Sequence, residues 1–365
     1  MNIYLKGYFG KSNLGDDLLM IASTSIIKIL FADANVYCVS SAKYIDVMEP
    51  RIIRVDNQEL LPTIDLLIHG GGGVFFDFKE DGSSLLQNTL LGSSRLGFKM
   101  YLLLRKLFSA NSTDVATAGW SLGVGSYSKN SRKYLPDLYK LSRFKFLGVR
   151  DNETALPIAA LANPNATYCF TDIVFHSELW LEGLNLNTNN LSNNEDTSVA
   201  IVLRDWNYDK LAYPEIELAR KLINNGVNVR FYLFGADGDA SIFNRLKHLK
   251  FQVINYDPAH ARQFIASFSQ SSVIVTQRAH GAIVGNVLGI PSICVEIETK
   301  LRNIHQMMPN STRLVSVDFS VDTVVDLIMK ELDTGLLKEN CANDNAYNVI
   351  QVQEMIKLLK GISFV

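Results

Sequence analysis

The sequence predicts an α/β protein of two Rossmann-like, doubly wound domains facing each other across a cleft, and three observations support that expectation. At 365 residues the chain is too long for one ordinary core, since domains average about 150 residues. Short apolar, β-branched runs alternate with longer amphipathic stretches almost throughout, which is the pattern of βαβ units around a parallel sheet. Midway, Gly183 to Thr197 reads GLNLNTNNLSNNEDT, rich in Asn and without apolar periodicity, as a linker does. The expected domains are therefore residues 1–182 and 198–340, with 183–197 between them. Residues 341–365, containing the helical DNAYNVIQVQEMIKLLKGI, are expected to pack back on the first domain.

In order, the expected strands of the first domain are NIYLKGYF, NVYCVS, IDLLIHG, DVATAG and FKFLGVR; those of the second are SVAIVLR, NVRFYLFG, FQVINY and SSVIVTQ. Ligands of open α/β sheets bind beyond the carboxyl ends of the strands, so chemistry is sought immediately after each run. After the first strand comes Gly10-Lys11-Ser12, the ending of a nucleotide-binding P-loop. A P-loop needs its first glycine five positions before the second, and Leu5 stands there. Asn13-Leu14-Gly15-Asp16 then postpones the helix to about Asp16, and the P-loop reading fails.

Gly70 to Gly73 follow a buried strand, where glycine permits positive φ and close approach of backbone to a ligand. Gly119-x-Ser121-x-Gly123, together with His69 and its glycines, imitates an esterase, but no helix follows the serine as a nucleophile elbow requires. Arg150-Asp151 and Arg204 close two further strands, with Asp151 placed to cap a helix. Arg278-Ala279-His280-Gly281 leads into a helix expected over Ala282 to Leu288, followed by Gly289-Ile290-Pro291 and a further strand. An arginine and a histidine at a helix N-terminus, where backbone N–H groups and the helix dipole favour an anion, form the most specific site candidate.

Composition excludes several classes. Hydrophobic residues make up 47% and charged residues 20%, and a net charge of -2 gives no footprint for nucleic acid. Cys38, Cys169, Cys294 and Cys341 lack metal or redox spacing, which suggests a reducing compartment, and no His, Cys or carboxylate cluster suggests a metal. The start lacks a secretory leader and no stretch is apolar enough to span a bilayer, so a cytoplasmic protein is expected. SSRLGFKMYLLLRKLFSAN reads as a helix with Arg95, Lys99 and Lys106 on one face. It suits either contact with an anionic membrane surface or a solvated edge of a helix covering the sheet.

In these motifs the chain resembles the polysaccharide pyruvyl transferase family. Asn13-Leu14-Gly15-Asp16 resembles its N-x-G-D, Gly71-Gly72-Gly73 with Asp77 its G-G-G...D, and Arg150-Asp151 its R-D. Asp172 is similar to its D-P aspartate, Arg204 to a lone arginine, Arg278-Ala279-His280 with Gly289-Ile290-Pro291 to its R-L-H...G-x-P, and Lys300 to a lysine beyond. Ala279 and Ile173 depart from the family's leucine and proline. The resemblance implies a GT-B-like fold and transfer of pyruvate from phosphoenolpyruvate (PEP) to two hydroxyls of a saccharide, without a cofactor. Arg204, Arg278, Lys300 and Arg150 would bind the anion, His280 would be the acid, and Asp16 or Asp17 a base. The competing readings are a nucleotide-sugar glycosyltransferase on the same architecture and a non-catalytic sugar- or anion-binding protein.

Overall fold

The computed structural model describes residues 1–75, 115–125, 127, 131, 133–184, 186, 197–205, 213–235 and 238–364. Asp77, the Arg95, Lys99 and Lys106 stripe and most of the Asn-rich segment lie outside the described residues.

Two sheets organise the chain. The first consists of β1 (Asn2–Lys6), β2 (Asn35–Val39), β3 (Ile52–Val55), β4 (Leu66–His69), β5 (Gly72–Phe75), β6 (Ala116–Val124), β7 (Phe144–Val149) and β8 (Thr167–Cys169). Its order is β3-β2-β1-β4-β6-β7-β8, with β5 also paired to β6. The second consists of β9 (Ser198–Leu203), β10 (Asn228–Leu233), β11 (Val253–Asn255), β12 (Val273–Thr276), β13 (Ser292–Glu296) and β14 (Thr312–Ser316), ordered β11-β10-β9-β12-β13-β14. Neighbouring strands pair in parallel, as in β1 with β4 and β9 with β12. Helices cover both faces, so central strands read as unbroken apolar runs: all six residues of β9 are buried. Strand order reverses between β1 and β4 and again between β9 and β12, and each reversal opens a crevice at the carboxyl ends.

The expected runs all lie on strands, whereas β3, β5, β8 and β14 were not foreseen. They are short and, apart from β5, stand at or near a sheet edge with half-exposed patterns, so they lack the buried run that marks a central strand. β5 is β4 resumed after a kink, in which Gly71 and Gly72 take φ of 92° and 85°.

Helix starts fall earlier than expected at two places. Helix Leu14–Leu30 begins right after Asn13, whose side chain accepts from the Gly15 N–H at 3.1 Å, an Asx cap. Helix Ala279–Val287 begins at Ala279, not Ala282, so Arg278 is its N-cap and His280 lies in its first turn. The C-terminal helix, Lys338–Lys360, joins the core that contains β1: Val352, Met355, Leu359 and Phe364 are buried there, and Phe364 meets Phe31 edge-on with centroids 6.0 Å apart.

Ser121 disposes of the esterase geometry. It sits inside β6 with φ 52°, donates to the Thr171 carbonyl at 3.2 Å and accepts from the Ile173 N–H at 2.8 Å. Its hydroxyl is buried and fully engaged, and it lines no cavity described below.

Candidate functional site

The carboxyl ends of both sheets face one cavity of about 390 Å³. β7 delivers Arg150, β9 Arg204, β12 Arg278 and His280, β13 Glu298 and Lys300, and the β4–β5 kink Gly72 and Gly73. The loop after β1 brings Asn13 and Asp16 and crosses to the other sheet: Asn13 forms a β-bridge with Gly235, and the Leu14 N–H donates to the Phe234 carbonyl at 2.9 Å. Among the described residues four cations thus line the cavity, against the carboxylates of Asp16 and Glu298. Three helices begin there, since Asn13, Arg278 and Glu298 are the N-caps of helices Leu14–Leu30, Ala279–Val287 and Thr299–Met307. Unsatisfied N–H groups and dipole ends add positive potential to that of the side chains.

Behind the wall lies Asp172, with no exposed surface. Arg150 Nη1 donates to its Oδ2 at 2.9 Å, while Oδ1 accepts from the Val174 N–H at 3.1 Å. Burial opposes ionisation of Asp172, but His280 and Arg150 outweigh it and hold the carboxyl at about 2. His280 Nε2 is buried and stands 3.5 Å from Asp172 Oδ2, while other atoms of the residue line the cavity. It lies directly on the start of helix Leu14–Leu30: a Cβ on Gly15 would come within 2.0 Å of His280 Nδ1. Gly15 is therefore glycine because of a histidine from the opposite sheet.

Asp16 faces the same cavity, and burial raises its pKa against the lowering influence of His280, Arg150, Arg278 and Lys300. Lys300 moves down, mainly by burial, and Glu298 partly offsets this. Both shifts bring groups of the cleft closer to neutrality, as acid–base sites require.

Of the residues singled out from sequence, Asn13, Asp16, Gly72, Gly73, Arg150, Arg204, Arg278, His280 and Lys300 line the cavity. Gly15, Gly71 and Asp172 stand one layer behind it. Asp17 does not belong there. Its carboxylate, 1% exposed, accepts from the Tyr44 hydroxyl at 3.0 Å and the Tyr256 hydroxyl at 2.9 Å, and it points away because neighbouring helix residues diverge by about 100°. Two residues were missed. Asp239, wholly buried, holds Arg278 Nη2 with both oxygens at 2.6 Å and accepts from the Gly235 and Asp205 N–H groups. Glu298 stands between Arg204 Nη1 at 3.5 Å and Lys300 Nζ at 3.7 Å. Asp239 follows β10 in FGADGD, so the rule of searching after strands would have found it.

Paired Rossmann-like parallel sheets with a cationic cleft at their carboxyl ends define a GT-B-type protein. Solved structures share this fold: Anabaena HepE, in complex with UDP and glucose, is 11% identical with TM-score 0.58, covering 99% of this chain and 100% of that one. The UDP-GlcNAc 2-epimerase of Methanocaldococcus jannaschii is 14% identical with TM-score 0.54, covering 92% of each chain. That of Neisseria meningitidis, bound to UDP-GlcNAc, is 8% identical with TM-score 0.58, covering 99% of each. At such identities the similarity is one of fold. No curated protein matches the sequence significantly. The family model for polysaccharide pyruvyl transferase matches residues 13–299, and the chain belongs to that family of transferases.

Proposed function

We propose that this protein transfers pyruvate from PEP to two hydroxyls of a saccharide, giving a cyclic ketal and inorganic phosphate. One observation carries the reading: Arg150, Arg204, Arg278 and Lys300 surround a 390 Å³ cavity that also contains His280. PEP carries a carboxylate and a phosphate on three carbons, so it presents two anionic ends to these cations within a small volume. Arg278 is fixed before ligand arrives, because Nη2 donates to Asp239 and Nε to the Leu203 carbonyl, and this leaves Nη1 to donate to an oxyanion.

His280, which lines the cavity, protonates the PEP methylene and creates an oxocarbenium-like carbon. A first saccharide hydroxyl attacks that carbon and loses its proton to Asp16. The C–O bond to phosphate then breaks, and the second hydroxyl closes the ring. One hydroxyl proton replaces the proton given to carbon and the other leaves with phosphate, so the reaction consumes no outside acid or base. Asp172 steadies the imidazolium during the first step.

The rival reading is a nucleotide-sugar transferase, favoured by the UDP complex of the similarly folded HepE. Calorimetric titration with PEP, UDP, GDP and CMP separates the two. Arg204→Gln is the informative variant, because Arg204 is partly exposed whereas removing Arg278 would strand the buried Asp239. Saturable PEP binding, weakened by about tenfold or more in the variant, is expected from loss of a charge-assisted contact. Nucleotide binding without PEP binding sinks the proposal.

A further inference from the structure

Past Arg150 and Lys300 a second chamber of about 140 Å³ adjoins the main cavity, and its chemistry differs. Its charges balance, Arg150 and Lys300 against Asp151 and Glu298, whereas the main cavity is cationic. With its described side-chain charges balanced, the chamber attracts an anion less than the main cavity does and suits an uncharged, polar ligand.

Two oxygens at and behind the chamber's wall lack donors. The Thr154 N–H, the Thr154 hydroxyl and the Ala155 N–H all bond to Asp151 Oδ1, at 2.8, 2.7 and 2.8 Å, which leaves Oδ2 for a ligand. Asn303, 6% exposed, donates Nδ2 to Thr154 Oγ1 at 3.3 Å and keeps a buried Oδ1 without a partner. The orientation of that amide is fixed by its neighbour. Thr154 has given its one proton to Asp151, so its oxygen must accept, and Asn303 must turn nitrogen toward it. A buried amide oxygen is rarely left unsatisfied, and a phosphate or carboxylate brings no proton to it. A saccharide ring brings several.

We propose that this chamber is the acceptor subsite, seating a saccharide ring by its hydroxyls on Asn303 and Asp151 while an adjacent pair of hydroxyls reaches the donor across the shared wall of Arg150 and Lys300. The assignment rests on the pyruvyl-transfer reading above, and the test is built to separate the two. Thr299 lines the chamber and is exposed, so Thr299→Trp fills the space without removing a buried contact; Asn303→Leu removes the orphaned oxygen. Saturation-transfer NMR on the full chain uses methyl glucoside, galactoside and mannoside, with inorganic phosphate present, and calorimetry follows PEP on the same samples. The expected result is saturable binding of at least one pyranoside, weakened about tenfold by both variants, with PEP affinity within about twofold and thermal midpoints unchanged. Pyranoside binding that persists in Thr299→Trp, or no pyranoside signal from the wild type, overturns the subsite. Loss of PEP binding in Thr299→Trp overturns the separation of the two chambers. Pyranoside binding that obeys both variants in a protein unable to bind PEP supports the saccharide subsite and removes the donor reading instead.

Discussion

His280 draws its chemical identity from a residue far away in sequence. Asp172, on the first sheet's side, receives Arg150 at 2.9 Å and faces His280 at 3.5 Å, so one buried carboxylate orients a cation of the first domain and the imidazole of the second. His280→Gln is expected to lower turnover by about 10²- to 10⁴-fold while PEP affinity, measured by calorimetry, changes little. Near-normal turnover in that variant removes His280 as the acid. Asp172→Asn leaves Arg150 buried without its partner and is expected to cost about 3–5 kcal/mol. Because folding holds Asp172 at about 2, below the usual carboxylate range, its stabilisation is complete above pH ~4 and fades as pH falls toward that value. Acid unfolding of the variant, followed by circular dichroism, should therefore lack the wild type's decline in that window.

At the scale of elements, the site is a meeting of helix starts. Helices Leu14–Leu30, Ala279–Val287 and Thr299–Met307 all begin at the cavity, and the first must approach the second closely enough to carry an imidazole on its backbone. Gly15→Ala tests that contact. In an exposed helix the change would stabilise by up to about 1 kcal/mol, yet here the new methyl would stand 2.0 Å from His280 Nδ1 and the ring must move. The expectation is a folded protein whose turnover falls by about a hundredfold, since misplacing a catalytic group by ~1 Å has that effect. Full activity in Gly15→Ala would show that His280 need not lie where it does. The same geometry explains why the glycine could be noticed in N-x-G-D but not understood from sequence: its reason for being glycine sits 265 positions further on.

Across the whole molecule the two sheets are latched together by a buried carboxylate. Asp17 accepts from Tyr44, beside β2, and from Tyr256, just after β11, next to the bridge between Asn13 and Gly235. Burial raises its pKa to about 7 despite both phenols, so folding favours the neutral acid. A carboxyl raised in this way weakens the folded state as pH climbs from about 4 to about 7, because the folded protein there binds more protons than the unfolded chain. Asp17→Asn, neutral throughout, should flatten the pH dependence of the thermal midpoint over that window. Parallel curves for variant and wild type would rule the latch out as a titrating element.

The sequence by itself determined what local pattern can determine. Buried parallel strands need apolar runs and strand ends need turn residues, so the two sheets, the position of the cavity after their strands, and Arg150, Arg204, Arg278, His280 and Lys300 were all legible. Only the tertiary structure decided what depends on pairs far apart in the chain. It turned Asp16 into the cleft and its neighbour Asp17 into a latch, gave Arg278 its hold on Asp239, backed His280 with Asp172, and left Asn303 with an oxygen awaiting a proton. Helical periodicity says that adjacent aspartates diverge, but not which one meets two tyrosines and which meets four cations; that follows from how two separately wound sheets are set face to face.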